Sequence, residues 1–156
     1  MRREKGQSLI EVMIAVTVGI LVVTALTFAT IFSLRNANFA KSSAQATKLA
    51  QEGIEKVRTL RDRDGAVNYP GASKFSDLWA ITFSCLGDIN CYFYLNVGGT
   101  LTGGSAISFE TIPPNFKRQF QIEDAGSEQK RVTSLVRWTD FAGDHESKLV
   151  TIFRKL

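Results

Sequence analysis

Few residues in this 156-residue chain are of a type and spacing that can do chemistry. The most conspicuous is a carboxylate at the threshold of an apolar run. Lys5-Gly6-Gln7-Ser8-Leu9-Ile10-Glu11 leads into Val12–Leu34, a stretch with no Asp, Glu, Lys, Arg or His. A charge carried to the centre of a bilayer costs about 2.5–3.5 kcal/mol on insertion scales. Glu11 therefore either stays at an interface or is met there by an opposite charge. The chemistry it offers is ion pairing, because two opposite charges entering an apolar environment cost less together than apart.

The other candidates are weaker. Cys85 and Cys91 flank an expected turn at Gly87–Asp88, and a bridge between them requires Cα atoms within about 7 Å; two free thiols are the alternative. With one histidine and no second cysteine pair, no metal site is expected. His145 sits between Asp144 and Glu146 at an expected hairpin turn and reads as a solvated turn residue with no nucleophile to serve. Gly98–Gly104, GGTLTGG, lacks the spacing and the Lys-Ser/Thr of a phosphate loop and reads as a flexible connection. Asp62, Asp64 and Gly65 echo a calcium loop whose remaining ligand positions are unmatched. No enzyme and no cofactor is expected. The net charge of +4 draws +2 from the first six residues, and the remaining basic pairs are interleaved with acids. Nucleic-acid binding, which needs a clustered basic face, is not expected.

The elements that must position Glu11 follow from hydropathy. Val12–Leu34 makes a helix of about 34 Å, enough to cross a hydrocarbon core of about 30 Å. Arg2, Arg3 and Lys5 precede it and only Arg35 follows closely. That asymmetry places the N-terminus in the cytoplasm and the rest outside, where disulfides persist. A cleavable signal peptide, with Ala25 and Ala29 as small residues, and a plain signal anchor are the simpler alternatives. Cleavable apolar regions run to about 7–15 residues, shorter than this one. Beyond Arg35, Phe39, Ala46, Leu49, Ala50, Ile54, Val57 and Leu60 recur mainly at helical spacings, with charged residues on other faces. One helix is expected from about Ser8 to about Arg63, stopped by Asp64–Gly65.

From Gly65 the chain breaks into short β-rich runs. Strands are expected at 79–86 and 91–97, at 107–112 and 116–124, and at 130–138 and 148–156, the last pair turning at Gly143–Asp144. Trp79, Trp138 and the phenylalanines read as core. The fold class is α+β, a long N-terminal helix packed by its amphipathic half on a small antiparallel sheet.

The N-terminus resembles the type IV pilin and pseudopilin family. Gly6, then Gln7-Ser8-Leu9-Ile10-Glu11-Val12, then the uncharged run carry the likeness over about the first 30 residues. Leu49–Asp62 looks like the continuing helix of small pilin-like proteins, and Arg131–Phe153 resembles the closing hairpin of minor pilins. The resemblance implies a leader at 1–6 cut by a prepilin peptidase between Gly6 and Gln7. It further implies a transmembrane helix at 7–34, its amphipathic continuation at 35–64 and an extracytoplasmic head at 65–156. In the family the first mature residue can be N-methylated and is usually Phe. Gln7 departs from that, which leaves its methylation open. Glu11 matches the family glutamate that registers subunits by meeting a neighbour's new N-terminal amine. The implied function is a structural subunit, minor pilin or pseudopilin, of a type IV pilus or type II secretion-like filament. Its partners are other pilin subunits and, before assembly, membrane lipid. A tip-located binding module for adhesion or DNA uptake is the alternative.

Overall fold

The structure, a computed structural model, describes residues 5–86 and 90–155, apart from the side chains of residues 5–8. Most of the leader, the Gly87–Asp88 turn and Leu156 lie outside the described residues. In chain order the elements are α1 (Lys5–Asp62), β1 (Ala66–Tyr69), β2 (Ala72–Lys74), a 3-10 helix (Phe75–Ala80), β3 (Tyr92–Leu95) and β4 (Leu101–Gly103). β5 (Glu110–Ile112), β6 (Phe116–Gly126), β7 (Gln129–Asp140) and β8 (Gly143–Arg154) complete the chain. The chain divides into two compact units, one ending at Lys41 and one beginning at Ser42. The first contains the N-terminal part of α1; the second contains the rest of α1 and every strand.

In the second unit the strands form one sheet in the order β2-β1-β4-β3-β6-β7-β8, with β5 also paired to β6. All pairings are antiparallel except β1 with β4. The fold is α+β, as expected. Alternation along β6 turns Phe116, Phe120 and Ile122 to the core, and alternation along β7 turns Val132, Val136 and Trp138 there. Ala46, Ala50, Ile54 and Val57 of α1 are buried in the same core.

The helix lies close against the sheet at Gly53. A Cβ there would lie 2.8 Å from Ser134 Oγ, 2.9 Å from Arg118 Cδ and 3.0 Å from Phe120 Cε1. Arg118 shares the core parity of Phe116 and Phe120 and is fully buried, so its charge must be matched. Its Nε and Nη2 donate to Glu110 Oε2 and Oε1 at 2.8 and 2.9 Å, and its Nη1 donates to Leu49 O of α1 at 2.9 Å. Glu110 is its cross-strand partner on β5.

α1 ends as expected, with one difference in who does what. Asp64 N–H donates to Arg61 O at 3.2 Å and Gly65 N–H to Leu60 O at 2.8 Å. These two bonds form a Schellman stop. The left-handed residue is Asp64, at φ 47°, and not the glycine. At Gly65 a Cβ would meet Leu60 Cδ2 at 2.6 Å, so any larger residue there must displace that side chain. Asp64 Oδ1 then accepts Ser76 N–H at 2.8 Å, while Asp77 Oδ2 accepts the N–H groups of Ser73 and Lys74, each at 2.9 Å.

Four expectations are corrected. Residues 79–86 form no strand: Trp79 and Ala80 close the 3-10 helix, and beyond them one backbone bond, from Asp124 N–H to Phe83 O at 3.1 Å, stands beside side-chain bonds in place of a ladder. Asp124 Oδ2 accepts Phe83 N–H at 3.1 Å, and Lys130 Nζ donates to Ile81 O at 2.9 Å as well as pairing with Asp124. GGTLTGG is not a free connection, since Leu101–Gly103 is β4 and Leu101 is fully buried. The last hairpin turns at Phe141–Ala142, two residues earlier than expected, so Gly143 and Asp144 begin β8. His145 is therefore a strand residue, stacked on Trp138 with centroids 5.3 Å apart and bonded to Asp140 at 2.9 Å. β1 and β2 are additional short strands.

Two measurements check this account. Gly53→Leu overpacks the helix–sheet contact, which costs about 2–3 kcal/mol and lowers the melting temperature by roughly 10 °C for a head of this size. Hydrogen bonds from Ser76 hold the Asp64 carboxyl below its ordinary range, and the Ser73 and Lys74 amides do the same for Asp77. Their contribution is complete above the ordinary value of about 3.9 and is lost as pH falls through the lower folded values. Acid titration of thermal stability should show a decline below that point that is shallower in Asp77→Ala.

Candidate functional site

Gly6 and Gln7 lie within α1, whose backbone is helical from Lys5. Glu11 follows on the same helix with its side chain exposed. The residues three and four positions away are Gln7, Ser8, Ile14 and Ala15, so no basic side chain is spaced to pair with it along the helix. Among the described residues Glu11 has no ion-pair or hydrogen-bond partner.

Every described side chain from Leu9 to Lys41 is exposed. Large apolar groups occur on all sides, with Leu9 at 66% and Phe28 at 68%. An apolar surface of this extent must be covered by something outside the chain. The helix is long and apolar enough to cross a membrane. Its four threonines do not break that character. Thr17, Thr24 and Thr27 donate to the carbonyls of Met13, Ile20 and Val23 at 2.8, 2.7 and 2.8 Å, and Thr30 donates to Thr27 O at 2.8 Å. Each hydroxyl proton is satisfied within its own helix, which is the requirement for polar groups placed in lipid. A Cβ on Gly19 would meet nothing within 4 Å.

The cysteine pair lies in the second unit. Cys85 and Cys91 are joined, with Cα atoms 5.3 Å apart. Cys91 is fully buried at the edge of β3, and its carbonyl accepts Ile122 N–H at 2.9 Å. The bridge therefore fastens the irregular segment after Ile81 to the central strands.

Nothing else gathers into a reactive group. A hollow of about 840 Å³ opens between α1 and the β3–β5 region, lined by Glu52, Glu55, Lys56, Tyr94, Phe109 and Glu110 among others. Its carboxylates are already engaged: Glu52 with Lys56 at 2.7 Å, Glu55 with Arg58 at 2.5 Å and Glu110 with Arg118. The Lys56 hydrogen bond holds Glu52 below the ordinary carboxylate range. Among the described residues no three His, Cys, Asp or Glu side chains are placed to hold a metal. Glu11 belongs to the first compact unit, and Cys85 and Cys91 belong to the second. The residues that sequence reasoning missed are Gly53, Arg118 and the Asp124–Lys130 pair. The spacing of Ala46, Ala50 and Gly53 was the available signal for the first. The parity of Arg118 with Phe116 and Phe120 was the signal for the second.

Residues 1–27 match the family model described as the prokaryotic N-terminal methylation motif. No curated protein and no solved structure matches the chain. The motif is the prepilin signature of type IV pilins and pseudopilins. It implies processing by a prepilin peptidase and assembly with other pilin subunits, and it points to a structural protein rather than an enzyme. Together with the apolar helix it fits a membrane-anchored, surface-assembled protein.

The cysteine bridge gives a direct check. Intact-mass and peptide analysis of native protein without reductant should find one intramolecular Cys85–Cys91 link. Replacing both by alanine should cost about 2 kcal/mol of head stability, the value for closing so short a loop. Two alkylatable thiols in native material would contradict the pairing.

Proposed function

We propose that this chain is a minor pilin or pseudopilin, a structural subunit of a type IV pilus or type II secretion-like filament. A prepilin peptidase cuts it between Gly6 and Gln7, and it assembles through the N-terminal part of α1. Before cleavage the basic residues Arg2, Arg3 and Lys5 remain on the cytoplasmic side and the head faces outward. The observation that carries this reading is Glu11, a carboxylate with no partner among the described residues, at the head of the uncharged run Val12–Leu34 and inside the methylation motif.

The chemistry follows from one bond. Cleavage after Gly6 creates an α-amino group with an ordinary pKa of about 7.7–8.0, cationic at neutral pH. Glu11 is the fifth residue of the mature chain, and no basic side chain is spaced three or four positions from it. A neighbour's new amine supplies the opposite charge. In a bundle of apolar helices the pair enters low dielectric together, and removing one partner of a buried pair costs about 3–5 kcal/mol. Glu11 thus selects one axial position for each subunit against the next. An uncleaved chain offers no such amine at Gln7 and cannot take up that position.

N-terminal mass spectrometry of the protein from its native host should find a chain starting at Gln7, methylated or not. Gly6→Ala should keep the leader. Both Gly6→Ala and Glu11→Ala should insert in the membrane and fail to enter filaments. Normal incorporation of either variant would refute the role given to its residue.

A further inference from the structure

β8 is twelve residues long and pairs with β7 alone. The pairing runs without a register shift from Asp140–Gly143 to Gln129–Arg154. Just beyond it, Lys155 N–H donates to Glu128 O at 3.1 Å. Residues of an antiparallel ladder bond alternately to one side and the other. The odd-numbered residues of β8 therefore bond to β7. Asp144, Glu146, Lys148, Val150, Ile152 and Arg154 turn their N–H and C=O groups away from it. Among the described residues no strand covers that edge. Exposed edges are normally blunted by shortness, proline, a bulge or charged side chains. β2, at the other end of the sheet, is three residues long, whereas β8 has no proline and no bulge. Val150 and Ile152 are also 55% and 52% exposed.

The outward row is graded in charge, acidic at its start and basic at its end. Glu146 and Lys148 already pair at 2.6 Å. Asp144 accepts only the Thr139 hydroxyl, at 2.6 Å. Among the described residues neither Asp144 nor Arg154 has an ion-pair partner. Reversing a second copy of the strand brings these two ends together. We infer that β8 is a self-association edge, in which two copies of this chain pair antiparallel with Asp144 of one opposite Arg154 of the other.

In this register Lys148 lies opposite Val150 and covers it with its aliphatic stem. Sliding one way sets Lys148 against Lys148, and sliding the other way sets Arg154 against Glu146, which Lys148 already engages, and leaves Asp144 without a basic partner. The two-fold axis runs along the sheet normal near Leu149, so the Ser42–Asp62 segments of the two copies run antiparallel. A polar array in which all subunits point one way cannot contain such a contact. It joins heads that meet from separate filaments or membranes. The inference is independent of cleavage after Gly6 and of Glu11.

The test is sedimentation of the full-length chain in mild detergent. Wild type should show a monomer–dimer equilibrium. Asp144→Arg and Arg154→Asp should each weaken it about tenfold, since two cross-strand pairs turn repulsive. The double variant should recover wild-type affinity. An equimolar mixture of Asp144→Cys and Arg154→Cys chains should oxidise to a covalent dimer in higher yield than either alone. A strictly monomeric chain, a dimer indifferent to both reversals, or a double variant as weak as the singles would overturn the inference. So would amide-exchange protection of Val150 and Ile152 that arises only on adding a different polypeptide.

Discussion

The closeness of α1 to the sheet at Gly53 is the constraint on which the head depends. With no Cβ at that point, Ser134 and Phe120 come against the helix backbone itself. Ala46 and Ala50 extend the approach towards the N-terminus, where Phe116, Val136 and Trp138 form one core cluster. Ile54 and Val57 extend it the other way into a larger cluster with Phe120, Ile122, Val132 and Phe153. Arg118 is tolerable between these clusters because the short separation lets its guanidinium reach Leu49 O while Glu110 neutralises its charge. A wider gap would strand that cation from the helix carbonyl.

One helix therefore serves two solvents. Around Ala46–Val57 its small and apolar residues are covered by the chain's own sheet. From Leu9 to Leu34 its large apolar side chains are exposed. The first arrangement is a folding problem solved internally. The second leaves an apolar surface to be covered from outside the chain. The prepilin signature falls on that second segment.

How much of this could be read beforehand depended on whether the cause was local. The long helix was legible because its cause is composition and a 3.6-residue period, and its stop at Asp64–Gly65 because turn chemistry is local. β6, β7 and β8 were legible in place because each alternates over many residues. β1, β2 and β4 were not, because three- and four-residue strands are made by their partners: β4 exists by pairing with β1 and β3. The expected strand at 79–86 failed for the converse reason. Its backbone groups are claimed by the side chains of Asp124 and Lys130, far along the chain. His145 looked solvated because the hairpin was placed two residues late. At the site, Glu11 stood out from sequence alone since a charge beside an uncharged run is visible without coordinates. The engagement of every carboxylate around the large hollow was not visible, because it rests on partners set by the fold.

The threonine hydroxyls, bonded within their own helix, have a consequence for motion along the helix axis. Thr17, Thr24, Thr27 and Thr30 are the hydroxyl-bearing residues between Val12 and Phe32, and each spends its proton on its own helix. A neighbouring apolar helix sliding past this surface would meet no donor to hold it and no step to climb beyond van der Waals roughness. No threonine proton along the segment is then left to fix the position of one helix against another, and the one carboxylate, Glu11, stands at the segment's N-terminal end.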